Sequence, residues 1–514
     1  MPKLQEQYDV VIIGSGLGGL LCGYMLAKEG KSVCILEKNA QIGGNLQTFK
    51  RDGVKFDSGV HYIGGLDPGQ ALHPFFGYFN LQEFVEKEAL DVDGYDLISF
   101  AGDPNLYPHA QGYENFIRRL LHFFPEEEEG IRKYCQAIQE ICGKFEWYNL
   151  GQDLSDSQET ETYGIGARDV ITKCTQNPKL QQVLAGSNLL YAGEGDSSPF
   201  YIHALITDSY IRSAYKLNYS DQISKHLRKD IRGFGGHIFI NSEVVKIQND
   251  SKKVIGVELA TGKTVKAEQF ISNIHPSLTF RMLNPEGLRK VSLKRMLELE
   301  NTISSFILYI KLKPETFPFL NANRYHYFDE DVWNTQHYDQ KNWLKAIGIF
   351  NSRKDKKSPF SDTMTVMAYM DFAEVRAWEN TENTTLNESE RAKDYQEFKE
   401  KKSQEILEAM EKIYPDFRNQ VASYYSATPL TQRDYIGSVE GGLYGIKRDF
   451  RSPLSSFVGT KTKLENLFLT GQNVILHGVL GVSISAAVTC QAILGRDLVM
   501  SKFREFYQDP GKQH

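Results

Sequence analysis

Residues 9–38 read DVVIIGSGLGGLLCGYMLAKEGKSVCILEK. Val10 to Ala27 contains no charged residue, and its eighteen positions approach the length that crosses a bilayer. Five of those positions are glycine, which breaks helical continuity and adds no apolar area, so a membrane span is a poor reading. A second uncharged run, Val474 to Leu494, is interrupted by His477, Gly478, Gly481, Ser483, Ser485, Thr489 and Gln491. It too reads as a buried segment near a ligand.

Taken by periodicity, the opening stretch divides cleanly. DVVII is a short buried strand that stops at Gly14, and Leu17, Leu20, Leu21, Met25 and Leu26 then recur at helical spacing. Gly30 ends that helix and SVCILEK is a second strand, which makes a βαβ unit. Within it Gly14, Gly16 and Gly19 satisfy G-x-G-x-x-G. The first glycine permits the tight turn, the second lets backbone amides approach a pyrophosphate, and the third lets helix and strand pack closely. Ser15, Leu17 and Gly18 fill the intervening positions and join the expected cofactor contact. The helix N-terminus offers unpaired N–H groups and a positive dipole end to phosphate. Glu37, followed by Lys38, ends the second strand about twenty residues on, where a carboxylate accepts both ribose hydroxyls and repels a 2′-phosphate.

A chain of 514 residues exceeds one ordinary core, so two domains are expected. The net charge of −6 and a pI near 6.1 describe a mixed, solvated surface and give no nucleic acid a basic groove. The richest basic stretch, SRKDKKS from Ser352, is short and reads as an exposed loop. Six scattered cysteines, with none two residues apart, point to neither a disulfide framework nor a metal site. The first residues carry no basic region followed by an apolar stretch and a cleavage site. The cytoplasm is the expected compartment.

The segments NAQIGGNLQTF (39–49) and FDSGVHYIGG (56–65) follow the βαβ unit. In that order they resemble the FAD-binding start of the amine oxidase flavoprotein superfamily. PFYIHALITDSYIRSAY (199–215), SATPLTQRDYIGSVEGGLYGIKRDF (426–450) and LFLTGQNVILHGVLG (467–481) narrow the resemblance. They look like the phytoene desaturase, carotenoid isomerase and retinol saturase group, over nearly the whole chain. The resemblance implies an α/β fold, with a Rossmann-like FAD-binding domain and a discontinuous mixed α+β substrate domain of the amine oxidase and phytoene desaturase type. The FAD half would comprise residues 1–65, 226–286 and 452–514, and the substrate half residues 66–225 and 287–451.

It further implies non-covalent FAD held by Gly43, Gly44 and Asn45, by the backbone of Val244 in a β-meander, and by Gly471, Gln472, Gly481 and Val482 at the start of a small-residue helix. Asn45 stands where an arginine is common, so a neutral amide replaces a cation there. After Tyr215 the sequence KLNYSDQI replaces a proline and a Gly-Gly pair usual in the group, so substrate identity is not inherited with the fold.

The implied chemistry is saturation, desaturation or isomerisation at carbon-carbon double bonds of a lipophilic polyene or related lipid. His61 and Tyr62, with Tyr444 and His477 behind them, are the candidates for moving a proton or orienting the alkene. Only one dinucleotide fingerprint is visible, so electrons must come from or pass to an external donor or acceptor. Aromatic stretches such as HPFFGYFNLQEFV (73–85), FIRRLLHFFP (116–125) and SPFYIHALITDSYIRSAYKLNY (198–219) read as core or as walls of an apolar tunnel. The second of them, with phenylalanines and leucines beside arginines, is the candidate for peripheral membrane contact. Two other functions remain on this scaffold: an amine-oxidase-like enzyme, and a lipid carrier without FAD resembling GDP dissociation inhibitors.

Overall fold

The computed structural model describes residues 3–150, 159–285, 288–339, 341–386 and 391–507. The strand Gln7–Ile13 sits at the centre of the nucleotide half because its β-branched run is buried on both faces. It pairs in parallel with Val33–Leu36 on one side and with Thr264–Ser272 on the other, Val11 lying opposite Cys34 and Phe270. The full order is 237–239, 33–36, 7–13, 264–272, 254–259, 244–249. The strand 264–272 forks: its first residues pair antiparallel with 254–259, and its last three pair in parallel with Leu467–Leu469. The expected meander and C-terminal strand therefore meet on one long strand.

Helix Leu17–Lys28 is buried from Gly18 to Ala27, being apolar all round, and packs against the helices Gly478–Leu494 and Asp221–Gly233. Gly30, at φ +81°, ends it as the sequence predicts. Neither uncharged run crosses a membrane: among the described residues no helix is long and apolar enough to do so.

A second sheet runs 421–427, 304–312, 363–370, 346–352, 323–327, 96–100, 107–109 and is antiparallel except where 323–327 meets 96–100. Alternation along Ser304–Leu312 decides what each face covers. Phe306, Leu308 and Ile310 pack with Ile406, Leu407 and Met410 of the charged helix Lys393–Ile413, whereas Ile307 points the other way and lines the central cavity. Burying each such side chain is worth roughly 1.5–3 kcal/mol. The beginning expected for that helix, Glu388–Glu390, lies outside the described residues.

Strands of the first sheet come from residues 7–36, 237–272 and 467–469, and those of the second from 96–109 and 304–427. A small antiparallel sheet crosses the boundary expected at residue 65, since Tyr62–Gly64 pairs with Ala214–Leu217. The boundary expected at 286–287 lies outside the described residues.

The stretch expected to contact a membrane puts most of its apolar side chains into the core. Helix Tyr113–Leu121 turns Phe116, Ile117 and Leu120 into the core, and Phe124 is buried after it. Its high amphipathicity is ordinary packing of an apolar stripe, with Arg118 exposed on the opposite side.

Candidate functional site

A cavity of about 950 Å³ lies between the two sheets. One end is built by glycines. Three segments distant in sequence meet there: Gly14–Gly19 after the first strand, Gly43–Gly44, and Gly471. A Cβ on Gly18 would come within 3.0 Å of the Gly471 Cα, one on Gly44 within 3.2 Å of the Gly16 Cα, and one on Gly19 within 2.2 Å of the Gly14 carbonyl oxygen. Only glycine lets these backbones approach so closely. Helix Leu17–Lys28 starts at Gly16 without a side-chain cap, and helix Gly478–Leu494 starts at His477 without one, so both leave first-turn N–H groups for a ligand.

Gly14, Gly16, Leu17, Gly18, Glu37, Lys38, Gly43, Gly44, Asn45, Val244, Gly471, Gln472, Gly481 and Val482 all line the cavity. Ser15 and Gly19 do not line it. Ser15 is buried and donates from its backbone N–H (2.9 Å) and its hydroxyl (2.6 Å) to Glu37 Oε2, while Gly19 serves helix-to-strand packing. Glu37 Oε1 accepts a third hydrogen bond, from the Asn39 N–H at 2.9 Å. A carboxylate has roughly four acceptor positions, so about one is left for a ribose rather than the two that sequence spacing suggested. Lys38 donates from Nζ to the Asp434 carbonyl at 3.2 Å, tying the second strand to helix Pro429–Ile436.

The other end of the cavity is aromatic and aliphatic. Helix Phe200–Arg212 presents Tyr201, Leu205, Ile206, Ser209 and Tyr210, spaced as one helical face, opposite Phe350, Ile307 and Met367 of the second sheet. Of the aromatic segments read as core or tunnel, this one supplies walls. The other two supply core: Phe75, Phe76, Phe79, Phe116 and Phe124 are buried.

All four candidate proton-handling residues line this space, but they are not equivalent. The Tyr444 hydroxyl donates to the Leu189 carbonyl at 2.6 Å, and His477 Nε2 lies 2.9 Å from the Leu190 carbonyl. That carbonyl fixes the proton on Nε2 and leaves Nδ1 as an acceptor. Burial pushes His477 down to about 4, so at neutral pH it is uncharged and has no imidazolium proton to give. These two side chains pin the turn Asn188–Leu190 to the cavity wall.

His61 stacks on Phe350, centroids 4.5 Å apart at 17°, and its ring has no hydrogen-bond partner among the described residues. Burial, with the Lys216 charge nearby, lowers it to about 4 as well. It is therefore a neutral imidazole, fitted to accept a hydrogen bond or to hold an apolar chain by its ring. Tyr62 stacks on Tyr210 at 4.5 Å, and its hydroxyl is 2.8 Å from Asp96 Oδ2 and 2.7 Å from the Tyr325 hydroxyl.

Sequence reasoning missed two residues of the site. Asn273 lies between the glycine segments, its side chain against the Cα positions of Gly16, Gly18 and Gly471. It follows the parallel strand 264–272 next to the first strand, and the rule that ligands sit at the carboxyl ends of such strands pointed to it. Arg448 is a half-buried residue on the cavity wall whose guanidinium is bonded, among the described residues, only to the carbonyls of Ser456, Asn473 (2.8 Å) and Val474 (3.3 Å), and desolvation lowers its pKa. No periodic signal in GIKRDF distinguishes it from a surface arginine.

Residues 12–79 match the family model of an NAD(P)-binding Rossmann-like domain. All-trans-retinol 13,14-reductase of Danio rerio is 27% identical, over 98% of this chain and 88% of that protein. Prolycopene isomerase 1 of an Oncidium hybrid cultivar is 25% identical, over 97% of this chain and 85% of that protein. The chain is a homologue of both. Among solved structures, an oxidoreductase from Methanosarcina mazei superposes with a TM-score of 0.62 at 16% identity, covering 94% of this chain and 99% of its own. That likeness establishes the architecture. The matches extend over both sheets, and so over every segment that builds the glycine cradle and the aromatic chamber.

Proposed function

We propose that this homologue of the retinol reductases and prolycopene isomerases is an FAD-dependent oxidoreductase acting on carbon-carbon double bonds of a lipophilic polyene or related lipid. The observation that carries the reading is the continuity of the cavity: a dinucleotide cradle opens directly into an apolar chamber, with no wall between them. Gly14, Gly16, Gly18 and the uncapped helix start would hold the pyrophosphate, Glu37 and Val244 the adenosine half, and Gly43–Asn45, Gly471, Gln472, Gly481 and Val482 the flavin half. A flavin bound there supplies exchange of two electrons with an apolar substrate. The residues of this chain exclude water, orient the chain of double bonds between His61, Tyr62 and Tyr210, and hold a proton. The division into a nucleotide half (1–65, 226–286, 452–514) and a substrate half (66–225, 287–451) follows from the same reading.

An external donor or acceptor completes the cycle. Apolar substrate arrives best from a bilayer, and the exposed side chains that border the cavity, Leu454 (80% exposed) and Phe457 (50% exposed), are the contact we assign to it. Arg295, hydrogen-bonded to both their carbonyls, brings a positive charge suited to anionic lipid.

The test is spectroscopic and chemical. The purified protein should be yellow, with a flavin spectrum. Anaerobic incubation with all-trans-retinol or a carotenoid, under reducing and then oxidising conditions, should give products shifted by two hydrogens or isomerised. A colourless protein, or hydrogen peroxide formed only with amines, refutes the reading. Flotation with anionic liposomes that is unchanged in Leu454→Ser/Phe457→Ser removes the assigned membrane contact.

A further inference from the structure

Tyr62 is the one candidate whose hydroxyl is bonded to a group able to restore a proton. Asp96, in the strand Asp96–Phe100, is fully buried and forms no ion pair among the described residues. Its Oδ2 lies 2.8 Å from the Tyr62 hydroxyl and its Oδ1 is 2.9 Å from Asn323 Nδ2. Asn323 stands directly opposite Asp96 in the parallel pair, and Tyr325, two residues further and so on the same face, reaches the Tyr62 hydroxyl at 2.7 Å. Asn323 Oδ1 is buried without a hydrogen-bond partner. Its N–H bonds Asp96 Oδ1 equally well when the group is a carboxylate and when it is protonated on Oδ2, and rotating the amide would let its oxygen accept a proton held on Oδ1, so the shell fits both states. The tyrosine pair is equally reversible, since either hydroxyl can donate.

We propose, resting on the reading above, that Asp96 is the proton store for this cavity and acts through Tyr62, with Asn323 and Tyr325 as the pair that accommodates both its states. As the Tyr62 O–H bond breaks, its proton passes to a carbon of the bound alkene, and the Asp96 proton passes to the Tyr62 oxygen. Asp96 is left as a carboxylate facing Asn323. A bound, two-electron-reduced flavin would deliver the second hydrogen, as hydride, to the neighbouring carbon, and a solvent proton entering the emptied cavity would refill Asp96 through the same hydroxyl. In dehydrogenation every arrow reverses, with Asp96 as the final base.

The surroundings poise the group. Burial raises Asp96 to about 7, opposed by the hydrogen bonds from Asn323 and Tyr62. The other titratable groups facing it are Tyr95, Tyr210, Tyr325 and Tyr327, all held neutral by burial, and His109, its partner in the adjacent strand, which burial keeps near 4 with its Nε2 on the Val183 carbonyl. A charged Asp96 opposes formation of phenolate at Tyr62, so the relay runs toward the alkene only while Asp96 carries its proton.

Infrared difference spectroscopy of the holoenzyme against pH decides the point without any substrate. A carboxylic-acid C=O band should disappear as pH rises through about 7. It should be missing in Asp96→Asn and should titrate at higher pH in Tyr62→Phe, which loses a donor to the carboxylate. In turnover with all-trans-retinol under reducing conditions, the rate should fall about tenfold per pH unit above that point. Asp96→Asn should be slower by roughly 10²-fold and flat with pH. An unchanged band or an unchanged alkaline limb in Asp96→Asn overturns the proposal. Should that variant fail to fold, an unmoved band in Tyr62→Phe does the same. If the wild type alters no polyene, the functional reading falls, and the infrared result still judges Asp96.

Discussion

Replacing Asp96 by Asn should make the protein more stable above neutral pH, by an amount the structure sets. The carboxyl sits at about 7 in the fold against 3.8 for a free aspartate, which corresponds to about 4 kcal/mol of differential proton binding. The sign follows from the direction. A raised carboxyl pKa means the folded chain keeps a proton that the unfolded chain has released. Its contribution is therefore whole below about 3.8 and is lost as pH rises through about 7. Asparagine keeps the shape, the acceptor for Asn323 and a polar contact to Tyr62, and it does not titrate. Between pH 4.5 and 8 the variant should gain about 3 kcal/mol on the wild type. Unfolding entropy near 2.1 cal/mol/K per residue gives the 514-residue chain about 1.1 kcal/mol/K, so the two melting temperatures should diverge by about 3 °C over that range. Paired thermal melts at half-unit pH steps measure the difference, in which all other carboxylates cancel. A pH-independent difference would refute the reasoning, because Asp96 would then have the same charge throughout.

Gly18→Ala should abolish flavin retention, read as loss of visible absorbance after gel filtration, because its Cβ would meet Asn273 Oδ1 at 2.6 Å and the Gly471 backbone at 3.0 Å. Wild-type absorbance would show that the three segments do not close on the ligand. Tyr444→Phe should cost about 1 kcal/mol in denaturant melts, from the orphaned Leu189 carbonyl, and leave the pH dependence of turnover unchanged; a shifted profile would restore it as a proton carrier. Arg391→Leu removes one of the two arginines bonded to the buried Asp434, leaving Arg433 on its other oxygen, and should cost about 1.5–3 kcal/mol, with near-wild-type stability as the contrary result.

Local signals in the sequence survived folding almost unchanged. The glycine spacing, the strand before it and the helix after it specify one another within thirty residues, so Gly14 to Glu37 could be placed without knowing anything else. Direction and partnership were less legible. Tyr444 and His477 have the right chemistry in the right segment, yet their bonding atoms point at the carbonyls of Leu189 and Leu190. Residue type does not encode that choice. Asp96 and Asn273 depend on strand register between segments more than two hundred residues apart, a quantity that periodicity in either strand alone leaves open. The amphipathic helix around Phe116 misled for the opposite reason: an apolar stripe looks the same whether a bilayer or a protein interior covers it.

The glycine cradle also imposes a timetable on biosynthesis. Gly14 to Gly19 leave the ribosome early, but the strand that flanks them and Asn273 arrive some 250 residues later, and Gly471 some 200 residues after that. At translation speeds of about 5–20 residues per second, the nascent nucleotide half stays open for tens of seconds with its apolar strand edges bare. Cofactor loading is thus a late event in the life of the polypeptide, and a chaperone or a scarcity of flavin would act on it at that moment.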